Sequence, residues 1–416
     1  MAKTIFMFTH DYPNIKGDSV FIASEIPFLC KKFHKVVIIC LLKEFENKIS
    51  VPNNCTVYFL HSSDKVRSLF KVLFSVYFWE NIKLLYEEYK DIKNSNKISI
   101  YTIVFAFKFY LRAVNICNKL KKILKKEKFP DIFYSFWADA EILAALLIKS
   151  SASVCTRING YDLYEERQPY NYQPFKKAAD RRIAGYYFVS QQGMKYYLNK
   201  FATKSSDKYK LFYLGSFSNR TSYTKLSLTD SLFEIVSVSD IIPLKRIDMI
   251  IEALTVVNNK IKIRWTHIGD GTEFNNIKTL AKEKLGNLDN LSFSFTGYLE
   301  HKEVLNYLSS HDIHCFITTS KTEGGVPMSI MEAIQFSIPI IGPNIGGISE
   351  IVDDTDGILL PDTAKAKDFA IAIEKIAKMS PEQYEGLRKG AFSMWNKKFN
   401  GNTNYTAFTE DLYNLK

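Results

Sequence analysis

The sequence predicts an α/β protein of two lobes, and three observations carry that prediction. The chain opens as strand, loop, helix and strand. Its second half contains short apolar strands separated by glycine turns. Its 416 residues are many for one core but comfortable for two domains of roughly 200 residues each. No repeat or low-complexity segment interrupts the pattern, and 12 prolines and 18 glycines argue against a disordered chain.

Residues 3–13 form an apolar strand that runs into a turn. Lys16, Gly17, Asp18 and Ser19 then precede a helix in which Phe21, Ile22, Ile26 and Leu29 recur at helical spacing. Residues 36–42 return as the next strand, which completes an opening βαβ unit. Val189 and Ser190 end a further short strand. The polar stretch Asp207, Lys208, Tyr209, Lys210 leads into the apolar Leu211 to Gly215 and marks the boundary. An N-terminal domain of residues 1–210 and a second domain of residues 211–385 follow from it.

The most informative stretch is Thr319-Ser320-Lys321-Thr322-Glu323-Gly324-Gly325-Val326-Pro327-Met328-Ser329-Ile330-Met331-Glu332-Ala333. Two carboxylates flank a glycine loop that opens a helix. Pro327 suits the first helical position, and Gly324 and Gly325 let backbone amides approach a ligand, so a diphosphate would be held by amides and helix dipole. Glu332 falls in the second turn with its Cβ tilted back toward that opening, where its carboxylate would accept hydrogen bonds from ribose hydroxyls. Glu323 would do the same for another polyol. Residues 338–342 read as a short buried strand, residues 344–352 as a glycine turn feeding a helix, and residues 357–360 as one more strand.

These residues carry a resemblance to the retaining glycosyltransferases of family 4, in the GT-B fold class known as glycosyl transferases group 1. The resemblance covers nearly the whole chain and is most specific in its C-terminal half. It implies two Rossmann-like lobes with a donor cleft between them, and a closing helix, residues 386–416 with Trp395 and Phe399, that returns to the first domain. Residues 233–254 resemble the family's strand, basic loop and helix over the donor diphosphate. Lys245 matches its phosphate-binding lysine, a compact charge suited to a departing phosphate. His267-Ile268-Gly269-Asp270-Gly271 and Phe295-Thr296-Gly297-Tyr298-Leu299 resemble the next two strand ends. Gly17 lies where the family's first loop meets the donor phosphates, and residues 156–167 are similar to the family segment that faces the reacting sugar.

The sequence departs from the family at three places. Asp240 stands where the family has an arginine, with Arg246 nearby as a substitute. Eight residues rather than seven separate Glu323 from Glu332, so Gly324 occupies the expected glutamate position. Asn159 stands where the family has a histidine; it can hydrogen-bond a sugar hydroxyl but cannot transfer a proton. Asp162 remains, either as a hydrogen-bonding group near donor or acceptor or as an N-cap of the following helix. The resemblance implies Lys245, Asp162 and Asn159 as catalytic residues and Gly17, Lys245, Arg246, Glu323, Gly324, Gly325, Val326 and Glu332 as donor-binding residues.

The net charge of +11, with 14% aromatic residues, points to an anionic partner. Residues 66–89 and 98–126 combine bulky apolar side chains with cations, and neither reads as long and uncharged enough to cross a bilayer. They predict helices lying on an anionic membrane, with Lys108, Arg112, Lys119, Lys121, Lys122, Lys125 and Lys126 near phosphates. Basic residues alternate with apolar ones and no nucleic-acid-reading motif is present, which excludes a nucleic-acid binder. The cysteines at 30, 40, 55, 117, 155 and 315 form no CxxC pair, so reduced cytosol is expected, and no signal peptide is evident. Asp354-Thr355-Asp356 invites a metal reading, which is rejected because the resembled family holds its donor with cations and amides.

The expected protein is therefore a cytoplasmic, peripherally membrane-bound, metal-independent retaining hexosyltransferase without cofactor. It would move a sugar from a nucleotide-diphosphate donor to a glycan acceptor, lipid-linked, in bacterial cell-surface polysaccharide assembly. A nucleotide-sugar 2-epimerase of the same fold, or a non-catalytic glycan-assembly partner, are the alternatives.

Overall fold

The computed structural model describes residues 2–15, 17–60, 71–204, 206–228 and 232–415. The chain divides into two compact units, Met1–Phe212 with Tyr405–Lys416, and Tyr213–Asn404.

The first unit is built on a seven-stranded parallel sheet. In chain order its strands are β1 (Thr4–Thr9), β2 (Lys35–Cys40), β3 (Cys55–Phe59), β4 (Ile132–Ser135), β5 (Ser153–Ile158), β6 (Gly185–Phe188) and β7 (Tyr209–Leu211). Their spatial order is β3-β2-β1-β4-β5-β6-β7. Strand β1 is central, and Ile5, Phe6, Met7 and Phe8 are all buried, as expected of a parallel strand covered on both faces. The strand order switches sides of the sheet between β1 and β4, which run parallel with Phe8 and Ser135 paired in register. That switch point is where open α/β sheets collect ligands.

The helices of this unit are α1 (Ser19–Lys32), α2 (Val76–Glu80), α3 (Lys83–Asn94), α4 (Ile100–Glu127), α5 (Ala140–Leu147), α6 (Lys176–Asp180) and α7 (Gln191–Lys200). Helix α4 starts at Ser99, whose side chain accepts the Thr102 amide, and it buries Ala106, Tyr110, Ala113, Cys117, Leu120 and Leu124 in the core. Two of the cations expected near membrane phosphates, Arg112 and Lys119, are corrected on this point. The inward face of α4 is covered by its own unit, Arg112 is committed to two carboxylates, and the Lys119 ammonium donates to the Leu60 carbonyl at 2.7 Å. By length and composition α4 is also long and apolar enough to cross a membrane, contrary to the expectation. Residues 66–70 of the other expected helix lie outside the described residues; the remainder forms α2 and α3, where Phe74, Val76, Trp79 and Tyr86 stay exposed.

The second unit carries a six-stranded parallel sheet of β8 (Phe233–Val238), β9 (Ile263–Ile268), β10 (Leu291–Phe295), β11 (Cys315–Ile317), β12 (Ile340–Pro343) and β13 (Gly357–Leu360), ordered β10-β9-β8-β11-β12-β13. Its helices are α8 (Ile247–Val256), α9 (Phe274–Leu285), α10 (His301–Ser310), α11 (Met328–Ile334), α12 (Ala366–Ala377) and α13 (Pro381–Met394), and its switch point lies between β8 and β11. Where a helix was expected over residues 344–352, only a 3-10 turn forms, Gly346–Glu350.

The return to the first unit, expected from about residue 386, comes at Tyr405. Helix α13 stays with the second unit because Arg388 is buried there, donating to the Thr224 and Ile313 carbonyls at 2.7 and 3.2 Å. Trp395 likewise donates its indole N–H to Ser216 Oγ at 3.0 Å. In the first unit, the closing segment lays Phe408 3.8 Å from the Arg157 guanidinium. Arg157 is fully buried and donates from Nε to Glu25 Oε2 at 2.7 Å. Tyr134 donates to the other oxygen of Glu25, also at 2.7 Å, so neither charge is left bare in the core.

Candidate functional site

At the switch point of the second unit, the loop after β8 and the loop after β11 hold each other by backbone contacts. Thr319 Oγ1 reaches the Lys245 and Arg246 carbonyls at 3.0 and 2.8 Å, and the Lys321 amide donates to the Leu244 carbonyl at 2.8 Å. Across this seam the Lys245 ammonium donates to Glu323 Oε1 at 2.5 Å, with both side chains mostly shielded from water. Arg246 takes a left-handed conformation, φ 52°, as it opens α8. Its guanidinium contacts Met249 Sδ at 3.8 Å, which leaves its donors to an incoming anion. Asp240 is exposed beside them.

The glycine loop is fixed by a second glycine pair. A Cβ on Gly346, whose φ is 48°, would stand 2.3 Å from the Glu323 carbonyl oxygen, and one on Gly347 would stand 2.4 Å from the Val326 nitrogen. Only glycines let these backbones touch, and the contact presses residues 323–326 into place. Gly269 and Gly271 act similarly after β9, where a Cβ would meet the Ser239 and Ile241 carbonyl oxygens at 1.9 and 2.4 Å. Pro327 precedes α11 as its cap rather than entering its first turn.

Glu332 is buried on α11 and accepts from His301 Nε2 at 2.7 Å. That hydrogen bond holds the His301 imidazole above its ordinary pKa, against the opposing effect of burial. His301 was not singled out by the sequence, since a lone histidine at a helix start has no spacing signature. His267 is buried between Ser237 Oγ at 2.8 Å and the Ser239 carbonyl at 3.1 Å. Burial pushes it down to about 4, so it is a neutral brace for the Ser239 loop. Asp356, from the rejected metal motif, turns inward and accepts the Asp353 amide at 2.8 Å. Among the described residues no group of three His, Cys, Asp or Glu could hold a metal ion.

The remaining sequence-derived residues lie in the first unit. Asp162 neither caps a helix nor faces open space. Its buried carboxylate accepts the Ala138 amide at 2.7 Å and the Asn159 amide at 2.9 Å. Burial raises its pKa, with Lys176 and the two amides opposing. Asn159 Nδ2 donates to the Phe136 carbonyl at 3.0 Å. Both residues therefore clamp the loop after β4, residues 136–139. Gly17, φ 54°, packs on Asp11; a Cβ there would stand 2.2 Å from Asp11 Oδ2.

Asp18 gathers the first loop: its carboxylate accepts the amides of His10, Asp11 and Tyr12 at 2.9, 3.0 and 3.0 Å and the Trp137 indole at 3.2 Å. The loops after β1, β4 and β5 surround a pocket of about 450 Å³ lined by Asp11, Asp18, Trp137, Asp139, Glu141 and Tyr161, among others. Arg112 of α4 reaches in and bridges Asp139 Oδ2 at 3.0 Å and Glu141 Oε1 at 2.9 Å. No spacing links these residues in sequence; of the pocket's lining, Gly17, Asp18, Phe21 and Arg112 were named from it, each in a different role.

Residues 218–394 match the family of glycosyl transferases group 1. A curated relative, the N-acetyl-alpha-D-glucosaminyl L-malate synthase of Bacillus anthracis, is 24% identical over 172 residues, which are 39% of this chain and 41% of the relative; the match spans less than half of that protein. Among solved structures, Alr3699/HepE of Anabaena in complex with UDP and glucose aligns over 100% of both chains with a TM-score of 0.66 at 14% identity. The apo form of the lipopolysaccharide outer core galactosyltransferase WaaB aligns over 98% of this chain and 99% of that one, with a TM-score of 0.67 and 14% identity. The fold is therefore that of the GT-B glycosyltransferases, two parallel-sheet Rossmann-like units, and residues 218–394 are a glycosyl transferases group 1 domain.

Proposed function

We propose that this protein is a retaining glycosyltransferase of family 4 type, moving a hexose from a nucleotide-diphosphate donor to a glycan acceptor without a metal ion. The observation that carries the reading is the Lys245–Glu323 pair at the second unit's switch point, beside amides fixed by the Gly346-Gly347 contact. In the transfer, the bond from the anomeric carbon to the diphosphate oxygen breaks, the acceptor hydroxyl oxygen bonds to that carbon, and the hydroxyl proton passes to the departing diphosphate oxygen. Lys245, freed from Glu323 and joined by Arg246, stabilises the charge that grows on the diphosphate. The amides of residues 324–326 hold the donor, and Glu332, which His301 holds in place, takes the ribose hydroxyls. UDP is the first nucleotide to try, given the ligand of the HepE structure.

The acceptor is read as a lipid-linked glycan of bacterial cell-surface polysaccharide assembly, reached from the cytoplasmic face of the membrane. What supports this is the outward face of α4: Val104 and Phe107 are exposed, and 18 residues, or five turns, further on the same stripe carries the exposed Lys122 and Lys125. Vesicles containing anionic lipid should retain the protein at low salt, and its full recovery in the supernatant would refute membrane docking.

The donor reading is tested by a thermal-shift screen against nucleotides and sugar nucleotides, since a ligand of the folded state raises its stability by RT ln(1 + [L]/Kd). A shift with one nucleotide family, lost in Glu332→Ala, is expected. Absence of any shift would favour a non-catalytic assembly partner, and conversion of donor without acceptor would favour a 2-epimerase.

A further inference from the structure

The six cysteines fall into two kinds. Cys40, Cys117, Cys155 and Cys315 are buried, and burial raises the pKa of each, so they stay protonated and shielded. Cys30 and Cys55 are half-buried at the rim of the core. They stand 25 positions apart, a separation that signals nothing in the sequence. The fold brings them together. Cys30 lies in the last turn of α1, and Cys55 opens β3, the edge strand of the first sheet. Between them Asn54 fastens one element to the other. Its Nδ2 donates to the Cys30 and Phe33 carbonyls at 2.8 and 3.0 Å, satisfying the end of the helix, and its own carbonyl accepts the Val36 amide of β2 at 3.0 Å. With both backbones pinned, the two Sγ atoms touch at 2.9 Å. A bond between them asks for side-chain rotation with no movement of α1 or β3. The contact is also polarised: the hydrogen bond from Cys55 lowers the Cys30 pKa against burial, while the same bond and burial raise that of Cys55. Cys30 is therefore the thiol that ionises first, and the thiolate is the nucleophile.

We propose that Cys30 and Cys55 are a redox-modification site whose co-reactant is a low-molecular-weight disulfide, Cys30 being the attacking thiol and Cys55 the resolving one. The Cys30 thiolate bonds to one sulfur of the small disulfide, whose S–S bond breaks; the released thiolate takes up the proton that Cys30 gave away. Cys55 then ionises and attacks Cys30 Sγ, and the second small thiolate leaves with the Cys55 proton. The pair is oxidised by two electrons, and one small disulfide is reduced to two thiols. No nucleotide or sugar takes part in this chemistry. The cross-link ties the edge strand to α1 and closes a loop that contains β2, which removes conformations from the unfolded chain. It also anchors the far end of the helix that starts beside Asp18, the carboxylate gathering the first loop.

The test is mass spectrometry on the native full chain, with oxidised glutathione as the probe. After exposure, acid quench and alkylation of the unfolded protein, four of the six cysteines should carry the alkyl group, and a tryptic peptide pair should join Cys30 to Cys55 with no glutathione retained. The cross-linked protein should melt about 5 °C above the reduced one, and dithiothreitol should restore the lower value. These readings need no variant, so they stand even if a substitution impairs folding. Two variants assign the roles. Cys55→Ser should stop at a mixed disulfide and gain one glutathione on Cys30, whereas Cys30→Ser should take up glutathione on Cys55 at least about tenfold more slowly. Six alkyl groups on the exposed wild-type chain, a cross-link through any of the four buried cysteines, or glutathione persisting on Cys30 would overturn the proposal. So would a lower melting temperature of the cross-linked form, or equal rates in the two variants.

Discussion

The two units solve the same geometric problem with different materials. Each has a parallel sheet with a switch point, between β1 and β4 in one and between β8 and β11 in the other. The second unit builds its site from backbone: glycines at 269, 271, 346 and 347 let loops touch, and Lys245 and Arg246 stand on a loop that Thr319 holds by its carbonyls. The first builds from side chains, with aspartates, a glutamate, an arginine and aromatic rings drawn from separate loops. A backbone-built site binds what every donor nucleotide shares, a diphosphate and a ribose, and a side-chain-built site suits a ligand that differs from one enzyme to the next.

If that contrast is right, the largest effect belongs to the one catalytic charge in the backbone-built site. Lys245→Ala should lower turnover at least about tenfold, and more if its transition-state share matches a typical oxyanion donor. Near-normal turnover would remove Lys245 from the mechanism. Next comes the packing itself. Gly347→Ala places a methyl on the Val326 nitrogen, so nucleotide affinity should fall about tenfold, from an overpacking cost of about 1–3 kcal/mol, while acceptor KM is unchanged. A change in both would show that the two sites are not separable.

A smaller effect is expected from Asn159→Ala. Losing the hydrogen bond to the Phe136 carbonyl should raise acceptor KM severalfold with nucleotide binding unchanged, because the Asn159 side chain holds the loop after β4. A loss of nucleotide binding instead would return Asn159 to the donor side.

The mildest probe is pH. Burial holds Glu88 and Glu141 of the first unit up at about 7, so between roughly pH 7 and 4.5 their folded forms bind protons that the unfolded chain does not, and that unit gains stability as pH falls. In the second unit burial holds His267 and His314 down at about 4, so between about pH 6.5 and 4 the unfolded chain binds the extra protons and stability is lost on acidification. Asp356, raised to about 7, offsets part of that loss. Hydrogen exchange compared at pH 7.5 and 5.5, after correction for intrinsic rates, should therefore show the first unit gaining protection relative to the second. An equal or opposite change would refute the assignment of these groups.

The same division explains how much was legible in the sequence. The strands and the two-lobed α/β class could be read because parallel strands leave apolar runs bounded by glycine turns. Glu323 and Glu332 could be singled out because a loop made of backbone leaves its glycines in a fixed spacing, and Lys245 because residues 233–254 resemble the family's strand, basic loop and helix. Their partners could not be read: the Lys245–Glu323 pair joins positions 78 residues apart, and His301 reaches Glu332 from another helix. Arg112 was misread as a membrane-facing cation because its helix is basic and amphipathic, whereas only tertiary contact shows it turned toward Asp139 and Glu141. Asp162 offered a ligand contact or a helix cap; it caps no helix, and two amides from different loops converge on its carboxylate.

The closing segment carries one more consequence, for the order in which the molecule is made. Phe408 covers an Arg157–Glu25 pair that is otherwise complete within the first 212 residues. A ribosome delivers the second unit's 213–404 before it delivers that cover, so the unit translated first is the one finished last. Until then the nascent chain holds an ion pair whose lid has not yet been synthesised.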